Sequence, residues 1–389
     1  MKTRLFAYGF RPFFLAVGSS ALVLVPMWVA NYSFRWPLGT DWPPASWHAH
    51  EMLFGFTCAA IAGFMLTAVP SWTAQKGFGG APLVVMSGVW LLGRLTIASS
   101  ARWPFLLVAA VDLAFLPVLA TFLARPLLRE RNRNTPLLLV LFVLWLCNAF
   151  FHLGLFRGDA SLSRQALLTG VDFVLILVTV IGGRITPSFT TSALRQRGVN
   201  GVVRASRGLT SATVALMVAV AVIDLVRPGG AAAGWVALAA ALAQLARLVQ
   251  WQGHRTLQDP IVWILHLAYA WLPVGLGLKA LALLAGVAAA SFWLHALTIG
   301  AIATMILGVM TRVALGHTGR PLRVHRLVTV AYLLLSAAVL ARVFGAWLPS
   351  FGYPALIALT GALWTTAFAL FLWIYAPILV SPRADGKPG

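Results

Sequence analysis

Acidic residues and cysteines are both scarce in this sequence. Only 9 of its 389 residues are Asp or Glu, and charged residues together make up 10% of the chain, whereas soluble proteins carry about 25%. The 2 cysteines lie inside apolar segments, which argues against a disulfide framework and favours small buried side chains. The sequence also shows no glycine-rich phosphate loop, no Cys-x-x-Cys-His haem-attachment motif and no evident Ser-His-Asp relay. It therefore does not resemble a soluble enzyme.

Long apolar runs dominate the chain instead. Hydrophobic residues make up 60% of it, and a helix needs about 20 apolar residues to cross a bilayer. We predict an all-α polytopic membrane protein in which residues 1–389 form a single integral membrane domain with twelve spans and short loops. The predicted spans are residues 13–30, 46–70, 82–98, 104–123, 136–156, 165–186, 209–226, 232–251, 261–284, 291–311, 326–345 and 353–376. The first run lacks a small-residue cleavage site, so we expect no cleavable signal peptide.

The net charge of +20 does not indicate nucleic-acid binding. The basic residues lie in short loops between apolar runs, where they are explained by the excess of Lys and Arg on the cytoplasmic side of a membrane. They concentrate in residues 125–133, 195–207 and 320–326, which all fall on one side if the spans alternate. We therefore predict that both termini are cytoplasmic.

A short motif recurs in spans 2, 6 and 10. It is centred on Gly63, Gly183 and Gly308, whose separations are 120 and 125 residues. In addition, His50 precedes Gly63 at the same distance as His295 precedes Gly308. Because spans 2, 6 and 10 are four apart, we predict three pseudo-repeated four-helix units, approximately residues 1–125, 126–250 and 251–376, around a threefold axis normal to the membrane. Transporters with nested three-span repeats do not match this period.

Polar side chains of several spans are predicted to lie at one depth in the outer half of the membrane. Since a charge that faces lipid is costly, we expect these side chains to face each other or a cofactor. They are His48, His50 and Glu51 in span 2, Arg94 in span 3, Asp112 in span 4, Asn148 and His152 in span 5, Asp172 in span 6 and His295 in span 10.

The two histidines of span 2 are not equivalent. If the helix begins near Pro43 and Pro44, His48 and His50 are both helical and point about 200° apart. They then cannot bind one metal ion from the same helix face. A later start of the helix would allow both to converge, so either histidine remains a candidate metal ligand.

Several longer motifs cover nearly the whole chain. They are FRPFF at 10–14, WHAHEM at 47–52, LTAVPSWT at 66–73, NAFFH at 148–152, GGR at 182–184, His266 with YAW at 269–271, and the segment from His295 to TGRPL at 318–322. Together they resemble the NnrS family of bacterial membrane proteins. Ser71 stands where this family usually carries Asn or a similar residue.

The resemblance implies a protein of the bacterial cytoplasmic (inner) membrane that binds haem and copper. It implies a role in nitric oxide metabolism, in denitrification or in resistance to nitrosative stress, with nitric oxide or a derived species and a membrane electron donor as partners. Whether the protein is an enzyme, a sensor or a transporter stays open. The alternative function is transport of a metal or an iron-nitrosyl species.

A looser resemblance connects the chain with haem–copper oxidases, which also use three four-helix arcs and bind haem through histidines of spans 2 and 10. The sequence departs from these enzymes because spans 6 to 8 contain no histidine and no adjacent His-His pair occurs. The copper site of the oxidase type is therefore missing. Oxygen reduction and proton pumping are not expected.

These resemblances lead to a prediction for the site. We expect haem b in the outer half of the membrane, with His295 as one axial ligand and His50 or His48 as the other, since imidazole suits haem iron. Arg94 is expected to pair with a propionate. The remaining histidine of span 2, with His152 and Met52, is the predicted copper site. Further functional candidates on the inner side are Arg184, His266, Arg312 and His317, and His266 and His317 are the alternative haem ligands.

Overall fold

The protein is built from long apolar helices. The computed structural model describes residues 4–288, 292–347 and 352–387. Within these residues there are 12 helices long and apolar enough to cross a membrane and no strand, which confirms the predicted all-α polytopic architecture. The helices are α1 (Phe10–Phe34), α2 (Pro44–Trp72), α3 (Ala81–Ala98), α4 (Phe105–Arg129), α5 (Leu137–Arg157), α6 (Ala160–Arg195), α7 (Arg207–Val226), α8 (Ala231–Val249), α9 (Pro260–Ala285), α10 (Trp293–His317), α11 (Arg326–Phe344) and α12 (Tyr353–Val380). The predicted start of span 10, Ser291, lies outside the described residues.

Prolines and glycines set several helix ends. Pro44 and Pro260 lie in the first turn of α2 and α9. Proline's missing amide hydrogen costs nothing there, because amide groups of the first turn have no partner within the helix. Gly158 and Gly286 follow α5 and α9 in the left-handed conformation, with φ of 68° and 65°, which glycine adopts without strain. The start at Pro44 confirms that His48 and His50 are both helical.

Three of the spanning helices contain a π-helical segment. The segments are Glu51–Thr57 in α2, Val178–Gly182 in α6 and Ala296–Ala303 in α10. The first begins directly after His50 and the third directly after His295, so these two histidines hold equivalent positions in their helices. These are the same three helices that carry the repeated glycine motif. The threefold relation of whole four-helix units stays a prediction. π segments are frequent at functional sites.

The chain divides into two compact units. The first unit contains Met1–Gly170, Val313–Pro321 and Phe368–Gly389, and the second contains Val171–Arg312 and Leu322–Ala367. The first has a core of buried aromatic side chains from α1 and α2, among them Phe13, Phe14 and Phe56. The second has its own buried aromatic side chains, Trp251, Tyr269 and Tyr332.

Apolar side chains also cover outward faces of the helices. On α3, Leu91, Leu92 and Leu95 are each at least 50% exposed. Patches of this kind are rare on soluble monomers, but they are the expected surface of a helix that contacts lipid. The exposed leucines therefore agree with a multi-pass membrane protein.

Candidate metal centre

Three helices of the first unit bring two histidines and one carboxylate together. His50 of α2, Asp112 of α4 and His152 of α5 are buried, and their candidate ligand atoms all lie within 4.8 Å of one another. Because α2 already begins at Pro44, His50 is helical, and its side chain is buried in the first unit. Six residues of the predicted polar layer contact one another in the first unit, namely His50, Glu51, Arg94, Asp112, Asn148 and His152.

Asp112 is the centre of this cluster. Its Oδ2 atom accepts hydrogen bonds from His152 Nε2 at 3.0 Å and from His50 Nε2 at 3.2 Å. Asn148 Nδ2 donates to the same oxygen at 2.7 Å. Neighbouring ligand atoms around a metal are separated by about 3.0–3.4 Å when the metal–ligand bonds are about 2.1 Å. Each imidazole nitrogen lies at such a distance from the carboxylate oxygen, and all three candidate ligand atoms lie within 4.8 Å of one another.

Arg94 of α3 neutralises the carboxylates at this site. Its Nη1 donates to Glu51 and its Nη2 donates to Oδ1 of Asp112. Gly55 provides the room, because a Cβ atom there would lie 3.2 Å from Cδ of Arg94. A buried carboxylate without a partner would be strongly unfavourable, and Arg94 supplies that partner for both Asp112 and Glu51.

The hydrogen bonds of His50 define its state. Nδ1 lies 3.1 Å from Oε1 of Glu51, and Nε2 lies 2.9 Å from Oδ1 of Asn148. A neutral imidazole has a single N–H, whereas both ring nitrogens here face oxygen acceptors. Nδ1–H can therefore donate to Glu51 while a metal ion takes the place of the Nε2 proton.

Aromatic rings enclose the two histidines. Trp42 packs edge-on against His50, with ring centroids 5.3 Å apart, and against His152 at 5.5 Å. Phe151 lies 4.7 Å from the His50 ring. These rings exclude water, which strengthens electrostatic interactions inside the cluster. The sequence analysis missed Trp42, although a tryptophan shortly before the WHAHEM motif was a usable signal.

His152 carries the one buried ring nitrogen of the cluster that has no hydrogen-bond partner. This atom is Nδ1, and no acceptor or donor for it occurs among the described residues. Leaving such a nitrogen unpaired costs about 1–3 kcal/mol. His152 contacts Asp112 through Nε2, on the other side of the ring, so a metal ion in the cluster would not pair this nitrogen.

The other residues predicted in α2 lie elsewhere. The His48 ring stacks on Trp28 with centroids 4.8 Å apart and an interplanar angle of 16°. The half-buried Met52 has its carbonyl oxygen bound to the hydroxyl of Thr57 at 2.8 Å. The structure thus brings His50, and not His48, to His152, so His50 is the histidine of α2 that is placed for the predicted copper site.

Both ring nitrogens of His50 face protein oxygens, so a metal ion bound through Nε2 would replace its contact with Asn148. Arg94 binds Asp112 and Glu51, and its pairing with a propionate stays a prediction. His295, the other predicted haem ligand, is half-buried in the second unit. Its pairing with His50 stays a prediction.

The second unit has a charged cluster that the sequence analysis only partly identified. Lys279 of α9 forms an ion pair with Asp224 of α7 and lies 4.9 Å from the ring centroid of Trp293. Asp172 of α6 is 6% exposed. Arg184, a further predicted candidate in α6, is exposed. Lys279 and Asp224 were missed because they lie near helix ends, where charged residues commonly reach the membrane surface.

Arg247 of α8 is a second missed residue. It is 3% exposed and donates to the carbonyl oxygen of Thr179 at 2.9 Å, to the hydroxyl of Tyr269 at 2.9 Å and to the carbonyl oxygen of Gly183 at 3.2 Å. Thr179 belongs to the π segment of α6 and Gly183 follows it directly. Arg247 therefore binds carbonyl groups of an irregular part of the helix.

The predicted inner-side histidines make different contacts. His266 Nε2 lies 2.7 Å from the hydroxyl of Thr190, and Thr190 itself donates to a backbone carbonyl. Nε2 of His266 is therefore the donor. Its Nδ1 is buried without a hydrogen-bond partner among the described residues, and Gly253 packs closely against it. This nitrogen faces backbone rather than an open cofactor pocket.

Arg312 and His317 lie at the same end of α10. The guanidinium of Arg312 lies 3.8 Å from the ring centroid of Phe189. The carbonyl oxygen of His317 accepts a hydrogen bond from Arg383 at 2.9 Å. Arg383 also binds Asp385, and this hydrogen bond holds the pKa of the carboxyl group well below its ordinary value. His317 thus anchors the C-terminal segment.

The twelve apolar helices and the buried His/Asp/His cluster define a polytopic membrane protein with a candidate metal centre. The family model described as NnrS protein matches residues 4–383. The chain therefore belongs to the NnrS family, as the sequence motifs predicted. This membership fits a membrane protein related to nitric oxide. A search of curated proteins found no significant match.

Proposed function

We propose that the protein binds copper through His50, Asp112 and His152 and acts in nitric oxide metabolism or in resistance to nitrosative stress. The observation that carries this proposal is the burial of two imidazoles and a carboxylate at ligand spacing inside a membrane-spanning unit. Buried ionisable groups at such depth are functional by default. Imidazole is a good ligand for copper, and membership of the NnrS family supports the link with nitric oxide.

Each residue of the metal centre has a separate role in this proposal. His50 and His152 supply neutral nitrogen ligands, and Asp112 supplies the negative charge that retains a cation. Arg94 holds Asp112 in place through its second oxygen, as outer partners of metal ligands commonly do. Trp42 keeps water out. Bound copper would supply one-electron chemistry and a binding position for nitric oxide.

Haem b is the second cofactor that we propose, with His295 as an axial ligand. His50 is assigned to copper, since both of its ring nitrogens face oxygen atoms of the first unit. A membrane electron donor is a further partner that we propose. The haem assignment rests on the family resemblance and on the position of His295 directly before the π segment of α10.

Metal analysis of purified variants tests the copper site. Wild-type protein should contain one copper per chain by mass spectrometry and show nitrogen hyperfine coupling in its electron paramagnetic resonance spectrum. His152→Ala should lose both signals. His48→Ala is the matched control, because His48 stacks on Trp28 outside the cluster, and it should retain them. Wild-type protein that binds iron or zinc in preference to copper would contradict the choice of metal.

Optical spectra test the haem assignment separately. We expect a Soret band in wild-type protein that shifts when nitric oxide is added. His295→Ala should lose haem while its copper content is unchanged, since His295 is not part of the copper cluster. Full haem occupancy with an unaltered spectrum in His295→Ala would exclude this ligand and would favour His266 or His317.

Transport is the second candidate function, and one observation favours it. Lys279, Asp224 and Asp172 place charge inside spanning helices of the second unit, and such groups often mark ion pathways. Reconstituted vesicles distinguish the two functions. Copper or iron-nitrosyl uptake that is lost in Asp172→Asn would establish transport, whereas a redox protein should show no uptake.

A further inference from the structure

A cavity at the basic end of the first unit stands apart from the metal centre. It has a volume of ≈ 450 Å³, which is within the usual range for ligand sites. It lies among the end of α2, the loop that follows α2, and α4. Its lining includes Pro70, Lys76, Phe78, Thr121, Arg125 and Arg129.

The cavity carries positive charge without compensation. Lys76, Arg125 and Arg129 line it, and no acidic residue does. Among the residues that the structure describes, none of these three cations has a hydrogen bond or ion pair with another protein group. Three cations in one concave site produce a positive potential that attracts anions. Arginine forks are moreover well matched to phosphate oxygens.

The cavity has both a basic and an apolar part in its lining. Thr121, Arg125 and Arg129 follow each other at four-residue intervals on α4, and Arg129 is its last residue. Thr121 therefore lies about 12 Å from the helix end. Phe78 and Phe122 contact each other edge-on at 6.2 Å and add an apolar wall. An inorganic anion would contact only the three cations, whereas an amphiphile would also contact the apolar wall.

We infer that this cavity binds the phosphate headgroup of an anionic membrane lipid, with Lys76, Arg125 and Arg129 around the phosphate and an acyl chain along the aromatic wall. Basic pockets between spanning helices at the cytoplasmic face are suited to anionic headgroups. The basic loops predict that this end of the unit faces the cytoplasm. The inference is independent of the metal centre and of the proposed function.

Short-chain lipids provide the test with the full-length protein in neutral detergent. The probes are dioctanoyl-phosphatidylglycerol, dioctanoyl-phosphatidylcholine and inorganic phosphate, with bound molecules counted by native mass spectrometry and affinities taken from titration. We expect one phosphatidylglycerol to bind, more weakly as salt increases. Phosphatidylcholine and inorganic phosphate should bind at least tenfold more weakly. Equal binding of inorganic phosphate would overturn the assignment to a lipid.

Charge-neutralising variants identify the site. The triple variant K76Q/R125Q/R129Q should bind phosphatidylglycerol about a hundredfold more weakly, since each basic residue near an anionic lipid contributes about a fivefold effect. The matched control R195Q/R204Q/R207Q removes the same charge from other basic loops. It should bind as wild type does, and an equal loss in this control would overturn the site.

One further variant fills the cavity without changing its charge. Thr121→Trp should reduce phosphatidylglycerol binding, because the indole occupies the space of the acyl chain. Thr121 is exposed, so the substitution should leave thermal unfolding unchanged. If the triple variant does not fold, phosphatidylglycerol binding by Thr121→Trp tests the inference by itself. Wild-type affinity in folded Thr121→Trp protein would refute the inference.

Discussion

Replacing Asp112 by asparagine removes one charge from the centre of the metal cluster and nearly preserves the shape of the side chain. In the wild-type protein Asp112 accepts hydrogen bonds from Arg94, His50, His152 and Asn148. An asparagine has one acceptor oxygen, and its amide group would face donors. At least one buried donor would therefore lose its partner, and Arg94 would keep Glu51 as its only carboxylate.

The structure sets the size of the expected effect. Breaking a buried ion pair by removing one partner costs about 3–5 kcal/mol. The Asp112→Asn variant should therefore unfold at a clearly lower temperature than the wild-type protein. Removing an outer partner of a metal ligand lowers metal affinity by about 10–100-fold. Because Asp112 is itself a proposed ligand, its replacement should lower the copper affinity by at least about 100-fold.

The assay combines thermal unfolding in detergent with competitive copper titration. Added copper should raise the unfolding temperature of wild-type protein and leave that of Asp112→Asn unchanged, since a ligand stabilises only the state that binds it. Asp172→Asn is the control, because it neutralises a buried aspartate of the second unit. Copper affinity equal to wild type in folded Asp112→Asn would refute the metal centre.

Three further predictions concern the pH dependence, the second unit and the topology. Copper affinity should decrease as the pH is lowered from about 8 to about 5, because ring protons compete with the metal; a pH-independent affinity would exclude imidazole ligands. Gly183→Ala should destabilise the protein by about 1–3 kcal/mol, because its Cβ would meet the guanidinium of Arg247. The control Gly88→Ala has open space and should unfold as wild type does. A reporter fused after Gly389 should be cytoplasmic, and a periplasmic signal would overturn the predicted topology.

The metal centre shows which features of the site the sequence predicts and which it does not. The depth of each polar residue in its span predicted that Glu51, Arg94, Asp112 and His152 lie in one layer, because the rise per residue of a helix is constant. Rotation about the helix axes and the choice of neighbours were not predictable, since they depend on packing between helices. The structure alone showed that Arg94 pairs with Asp112 and Glu51.

The second unit gives another example of a contact that the sequence does not predict. The sequence analysis did not single out Arg247, which lies near the end of α8, where long basic side chains commonly reach the membrane surface. Its burial and its bonds to Thr179 and Gly183 depend on the π segment of α6. Nothing in the local sequence indicates that segment, because a π turn arises where tertiary contacts satisfy the carbonyl groups that it releases.

The sequence by itself determined the class of this protein, because the length and apolar character of each segment are local properties that the bilayer selects for. Twelve spans and the family motifs followed from residue order alone. Only the tertiary structure decided that His50, Asp112 and His152 meet, since these residues come from three helices. Their distances arise from side-chain packing across the unit, which is a non-local property of the chain.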